Sequence, residues 1–333
     1  MRFFFFPRVF LRPSWVYLML SPYFCKNREQ ICIPMITIQN EHLSAAINPQ
    51  GAETRSLRDL QTGREFLWQG DARWWTGCSP ILFPITGGMW NGETLHSGRT
   101  LRIPKHGFAA KCTWTVREQT EDAVTFALRS DDAHVAGQYA EAFPFRYELR
   151  VTYRLCGRTL RADIAVENLD TQHIYFQVGG HPGIALPDWQ DDIHLDGYLR
   201  FEGDARTLVR AGEQGCIEVA PDGTPIPFPV PATAEGLVPL CVETFAHEAL
   251  IFCEQISAAT VLDRDKHPVA RVSSSAPVWL FWNPQGQHAP FVCCEPWYGL
   301  PDFQGFHGDI SQRPYIQSAA PAETWKGWYT VEV

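Results

Sequence analysis

Apolar and polar residues alternate along much of the chain. Between Phe145 and Leu155 (FRYELRVTYRL) every odd position is apolar and every even one is polar. Successive side chains of an extended backbone point to opposite faces, so a period of two predicts a half-buried strand. Cys156-Gly157-Arg158 then offers a turn, and Leu160, Ala162, Ile164 and Val166 resume the alternation. Together they predict a long antiparallel hairpin. Shorter runs predict strands at 36–39, 44–48, 54–59, 65–68, 111–118, 123–129, 174–178, 249–253, 260–263, 269–274, 278–282 and 291–295. Turn-forming stretches such as Asn48-Pro49-Gln50-Gly51 and Asn283-Pro284-Gln285-Gly286 separate them. Helical periodicity is confined to Ser130–Glu141, with a single turn expected at Asp71–Trp75. The pattern predicts an all-β fold of antiparallel sheets with few short helices, as one large sandwich domain over residues 35–333.

Residues 1–34 break this pattern. They open on an Arg and four Phe, contain Pro7 and Pro13, and carry one apolar run from Trp15 to Leu20. A membrane span needs about 20 apolar residues. A secretory signal needs a longer apolar core and a small-residue cleavage site. Neither requirement is met, so the segment is read as an N-terminal extension outside the fold, which opens near Met35.

Composition narrows the function classes. The 333 residues are 45% hydrophobic, 13% aromatic and 20% charged, with a formal charge of −9. That content fills a core, and no basic stripe exists to hold nucleic acid. The ten cysteines are scattered, with no CxxC pair and no zinc-finger spacing. They are read as reduced core thiols of a cytoplasmic protein. No GxGxxG or P-loop points to a nucleotide, no DxDxDG to calcium, and no GxSxG to a serine nucleophile. Acid–base chemistry by His and Glu remains.

Three segments set ionisable residues among glycines and apolar residues: Pro104-Lys105-His106-Gly107-Phe108-Ala109, Gln177-Val178-Gly179-Gly180-His181-Pro182-Gly183 and Val292-Cys293-Cys294-Glu295-Pro296-Trp297-Tyr298-Gly299. Glycines around His181 allow close approach of backbone or ligand. An imidazole there can exchange a proton near neutral pH, or simply bond backbone in a turn. Glu295 ends an apolar run, where burial raises a carboxyl pKa and makes a better base. Pairing with an Arg is the structural alternative. Trp297, Trp68, Trp90 and Phe83 offer faces to stack on a sugar ring, or ordinary packing.

Taken together, the segments resemble the aldose 1-epimerases, the galactose mutarotase-like proteins, and within them a LacX-like bacterial branch. The matching stretches, in order, are Phe66-Leu67-Trp68-Gln69-Gly70-Asp71, Pro80-Ile81-Leu82-Phe83-Pro84-Ile85, Lys105–Ala109, Gly179–Gly183, Ala249–Phe252 and Cys294–Gly299. The resemblance implies a β-supersandwich. It implies Glu295 as the base on the C1 hydroxyl, His181 as the acid on the ring oxygen and His106 as a sugar ligand, with Glu248 and Trp297 also contacting sugar. It implies an aldohexose as the small-molecule partner, with no metal, nucleotide, nucleic acid or membrane. Two positions depart from the pattern. Gly88 stands where the family carries a sugar-binding Arg, and Glu248 stands where it carries Asp. Two other readings stay open: a hexose-phosphate epimerase, with Arg73 or Arg102 near the motifs, and a sugar-binding protein that has lost turnover. Trp90 or Asn91 are candidates to compensate for the missing Arg.

Overall fold

The computed structural model describes residues 34–333. Apart from Pro34, the extension read at 1–34 lies outside the described residues.

The predicted hairpin forms from Tyr147–Cys156 and Thr159–Asn168, paired antiparallel with Cys156 opposite Thr159. Gly157 and Arg158 are left as a two-residue turn. Gly157 takes φ +55°, the left-handed conformation such a turn requires. Phe145, Tyr147, Leu149, Val151, Tyr153 and Leu155 are all buried, as are Leu160, Ala162, Ile164 and Val166. Each large side chain on that face contributes about 1.5–3 kcal/mol of transfer free energy.

The hairpin is part of a nine-stranded sheet. Its spatial order is Val238–Pro239, Tyr198–Gly203, Ile256–Leu262, Pro268–Ser274, Thr324–Glu332, Thr159–Asn168, Tyr147–Cys156, Ala123–Arg129 and Thr115–Gln119. All neighbours are antiparallel. A six-stranded sheet runs Ala249–Cys253, Val278–Trp282, Phe291–Tyr298, Val178–Gly180 and Ile81–Leu82, with Gly183–Ala185 also paired to Phe291–Tyr298. Ile36–Gln39, Leu43–Asn48 and Glu53–Asp59 make a third sheet.

Several expectations are corrected. Thr324–Glu332 was not predicted as a strand, yet it joins the two halves of the large sheet. Gly327 and adjacent Trp328-Tyr329 blur its alternation. The run at 65–68 reduces to isolated bridges at Glu65 and Leu67. The strand expected from Lys111 begins at Thr115, behind a 3-10 turn at Ala109–Lys111. The predicted helix shortens to Ala133–Gln138. Asp71–Trp75 is a single turn, with the amides of Trp74 and Trp75 donating to the Asp71 carbonyl.

The six-stranded sheet has two unlike faces. Ile81, Phe83, Leu250, Phe252, Trp279, Phe281, Val292, Cys294 and Tyr298 join the main core shared with the large sheet. The residues next to them in sequence face the other way. Leu82, Ala249, Ile251, Val278, Leu280 and Trp297 belong to one small cluster, and Phe291 and Cys293 to another with Trp68. Glu295 lies between Cys293 and Trp297 on that outer face, so the strand carries it from one satellite cluster to the other.

Among the described residues, no helix is long and apolar enough to cross a membrane. The eight described cysteines are free. Burial pushes the Cys112 and Cys216 thiols up to about 11, which suits inert core thiols.

Candidate active site

A cleft of about 410 Å³ opens on the outer face of the six-stranded sheet, within the size range of small-ligand sites. Its walls include His106, His181, Glu248, Glu295 and Trp297, the five residues to which the resemblance gave roles.

Glu295 stands opposite Leu280 in the strand pair Val278–Trp282 and Phe291–Tyr298, and is 1% exposed. His181 follows the strand Val178–Gly180 and is 8% exposed. Glycine is needed before it. A Cβ on Gly179 would stand 2.6 Å from the Trp297 ring, and one on Gly180 equally close to the Tyr329 ring. The close approach expected from these glycines is therefore to aromatic side chains, which brings the His181 loop onto the Glu295 strand. Nε2 of His181 lies 3.0 Å from Oε2 of Glu295. That oxygen nevertheless makes no hydrogen bond. The contact is short but off the line a hydrogen bond needs. Nδ1 of His181 and Nε1 of Trp297 are likewise buried without partners.

Burial decides where protons sit. It pushes the Glu295 carboxyl well above the usual carboxylate range, while the Lys105 ammonium and the Trp297 indole N–H pull it back in part. The indole N–H lies near enough to favour the carboxylate, although it is not aligned to donate. Burial holds His181 down at about 3. Burial therefore favours a proton on Glu295 over one on His181.

His106 sits in a locked loop. The Gly107 and Phe108 amides donate to Pro104 and Phe83 carbonyls, and the His106 amide donates to Gly87. A Cβ on Gly107, whose φ is +73°, would fall 2.0 Å from the Phe83 oxygen. His106 itself takes φ +63°, a conformation costing about 1–3 kcal/mol for a non-glycine residue and found where function demands it. The Gly87 amide donates to Nδ1 of His106 at 3.2 Å. Nδ1 must then be the acceptor, so Nε2 carries the hydrogen. Burial, and the neighbouring His181 and Lys105, push its pKa well below the usual value. His106 is thus a neutral donor. Glu248, also left-handed at φ +71°, holds Lys105 Nζ at 3.4 Å.

Three wall residues were not singled out from sequence. Lys105 is the one Lys or Arg among the lining residues; its place beside His106 was the available signal. Trp75 stacks on His181 at 4.8 Å, and Trp282 meets both rings edge-on. Nothing local marked either. The other stacking candidates do not line the cleft. Phe83 is fully buried in the main core, Trp68 stacks on Phe291, and the Trp90 amide bonds Asp302. Asn91 is exposed and bonded to Gln214, so neither it nor Trp90 compensates at position 88. Arg73 and Arg102 pair with Asp71 and Glu93 outside the cleft.

Gly88 has a local cause. A Cβ there would meet the Gln214 carbonyl oxygen at 2.9 Å. The turn Glu213–Gly215 occupies the space a side chain would cross. The Gly88 carbonyl accepts from the Asp302 amide and from Arg313 Nη2. Arg313 is fully buried with Asp302, Nε donating to Oδ1 at 2.6 Å.

The aldose 1-epimerase family profile matches residues 34–329. The chain belongs to the aldose 1-epimerase family. It is 28% identical over 309 residues to the chromosomal and plasmid LacX proteins of Lactococcus lactis subsp. lactis, covering 90% of this chain and 99% of each relative. A galactose mutarotase related enzyme from Lactobacillus acidophilus superposes with a TM-score of 0.78 at 26% identity, over 90% of this chain and 96% of that one. A galactose mutarotase-like protein from Lactobacillus casei gives 0.78 at 27%, over 90% and 99%. The antiparallel sandwich expected from the alternation is the family's fold.

Proposed function

We propose that this family member is an aldose 1-epimerase that interconverts the α and β anomers of a neutral hexose through its own side chains. The observation that carries the reading is the buried contact of His181 Nε2 with Glu295 Oε2 in a cleft that also offers His106, Glu248 and Trp297.

One proton on the His181–Glu295 pair has two placements of equal net charge. Ring opening starts with it on His181. Glu295 takes the O1 proton as C1 becomes a carbonyl, His181 gives its proton to O5, and the C1–O5 bond breaks. The proton now rests on Glu295, the placement that burial favours. Rotation about C1–C2 presents the other carbonyl face. The reverse transfers close the ring, with Glu295 protonating O1 and His181 taking the O5 proton. A reversible shuttle needs the two placements close in energy, and Lys105 narrows the gap at Glu295. His106 Nε2–H and the unpartnered Trp297 Nε1–H are donors to sugar hydroxyls, and Glu248 is an acceptor.

A neutral sugar is favoured over a phosphorylated one. Lys105 is the single lining cation and is already paired with Glu248. A phosphate dianion calls for several Arg or Lys donors. Polarimetry of freshly dissolved α-glucose and α-galactose tests the reading. The relaxation rate is expected to rise in proportion to protein, with no competition by hexose 6-phosphate. A rate that stays at the spontaneous value while calorimetry detects sugar binding would convert the protein into a binding module.

A further inference from the structure

One buried cluster adds a thiol to the His181–Glu295 pair. Cys293 and Glu295 are two residues apart on Phe291–Tyr298 and project from the same outer face. His181 reaches them from the adjacent loop, held by the Cys294 amide donating to the Pro182 carbonyl and by Gly183 paired with Cys293. One ligand atom from each of His181, Cys293 and Glu295 lies within 4.8 Å of the other two, and all three residues are buried. Among the described residues, this is the one such grouping.

We propose that His181, Cys293 and Glu295 form a binding site for a thiophilic divalent cation of the zinc type, open to the cleft at a fourth position. Donors around a tetrahedral ion at about 2.0–2.3 Å stand roughly 3.3–3.8 Å apart. The set needs to close by at most about 1.5 Å, within the reach of Cys and Glu side-chain torsions. Imidazole nitrogen, thiolate sulfur and one carboxylate oxygen suit zinc, cobalt or cadmium and not magnesium or calcium, which demand oxygen shells. Glu295 Oε2 is buried and unpartnered, as an unfilled ligand would be. His181 and Glu295 line the cleft, which supplies an entry path.

Charge balances. Ligation requires Cys293 as thiolate, Glu295 as carboxylate and His181 as neutral imidazole, so the protons these groups carry leave to solvent. Thiolate and carboxylate then neutralise the 2+ charge in a dry site, and affinity rises with pH. Because the ion replaces the shuttled proton, an occupied site cannot transfer it. The site lies outside the spacing rules that find zinc motifs, since its third ligand is remote in sequence.

The full-length protein, stripped of metal, is titrated with Co²⁺ alone. A thiolate-to-cobalt charge-transfer band is expected, saturating at one ion per chain and displaced by Zn²⁺. Cys293→Ser is expected to abolish the band, and His181→Gln to weaken Zn²⁺ binding at least 10-fold, a loss in the range known for perturbed metal sites. Cys156→Ser, at the exposed thiol, is expected to leave the band in place. A band that survives Cys293→Ser, or vanishes with Cys156→Ser, overturns the proposal. So does unchanged Zn²⁺ affinity in His181→Gln with native circular dichroism, which covers the case where Cys293→Ser fails to fold. These readouts do not depend on turnover, so failure of the epimerase reading leaves them interpretable.

Discussion

Replacing Glu295 by Gln separates chemistry from stability. Glutamine has nearly the same volume, so the packing between Cys293 and Trp297 is kept. In the proposed mechanism, what is lost is the group that accepts the O1 proton. A positioned general base contributes about 100- to 10,000-fold, or roughly 3–5 kcal/mol of barrier. The variant's epimerisation rate in polarimetry is expected to fall by that factor, with KM little changed.

Stability should move differently. Burial raises the folded carboxyl above its ordinary value of 4.5. Above that pH the unfolded chain sheds a proton that the folded chain keeps, so Glu295 costs stability as pH rises. His181, depressed from 6.5 to about 3, acts in the opposite sense. Below 6.5 the unfolded chain binds a proton that the folded chain refuses, so stability falls as pH drops toward about 3. Between 4.5 and 6.5 the two slopes oppose. The melting-temperature gain of Glu295→Gln over wild type is therefore expected to grow as pH rises from about 4.5, while the acid-side loss persists. A Gln variant as active as wild type, or a gain that shrinks with rising pH, would refute the reasoning.

Three further outcomes follow from the same geometry. Lys105→Met removes the charge that favours the Glu295 carboxylate, so the acidic limb of the kcat/KM profile is expected to move to higher pH, read by polarimetry across a pH series. Gly107→Ala places a Cβ against the Phe83 carbonyl in a left-handed backbone; a stability loss of about 1–3 kcal/mol or more is expected in urea unfolding, together with a raised KM as His106 shifts. Gly88→Arg, the substitution that would recreate the family residue, is expected to raise KM instead of lowering it, because the side chain starts 2.9 Å from the Gln214 carbonyl oxygen; a lowered KM for galactose would show that the turn Glu213–Gly215 yields.

Much of the fold was legible because strand faces follow a local rule. In Tyr147–Cys156 and Thr159–Asn168 each residue's face depends only on whether its position is odd or even, and the hydrophobic effect selects the apolar face for the core. Phe291–Tyr298 shows where the rule stops. It is buried on both faces, so its run of apolar residues could not say that Glu295 and Trp297 face a cleft while Val292 and Cys294 face the core. The same limit explains Phe83, whose inward face is set by its sheet. Thr324–Glu332 escaped detection because its stability comes from two neighbouring strands and not from its own pattern.

The sequence by itself determined the residue types, the faces of the alternating strands and, through short glycine-flanked motifs, which His and Glu were worth watching. Only the tertiary structure decided that they meet. The 3.0 Å between His181 and Glu295 depends on the register of Val178–Gly180 against Phe291–Tyr298, a pairing between segments remote along the chain. The displaced pKa values also arise there, because desolvation is a property of everything packed around a group. Trp75, Trp282, Lys105 and Cys293 became functional candidates for the same reason: their chemistry is ordinary until the sheet places them around the His181–Glu295 pair.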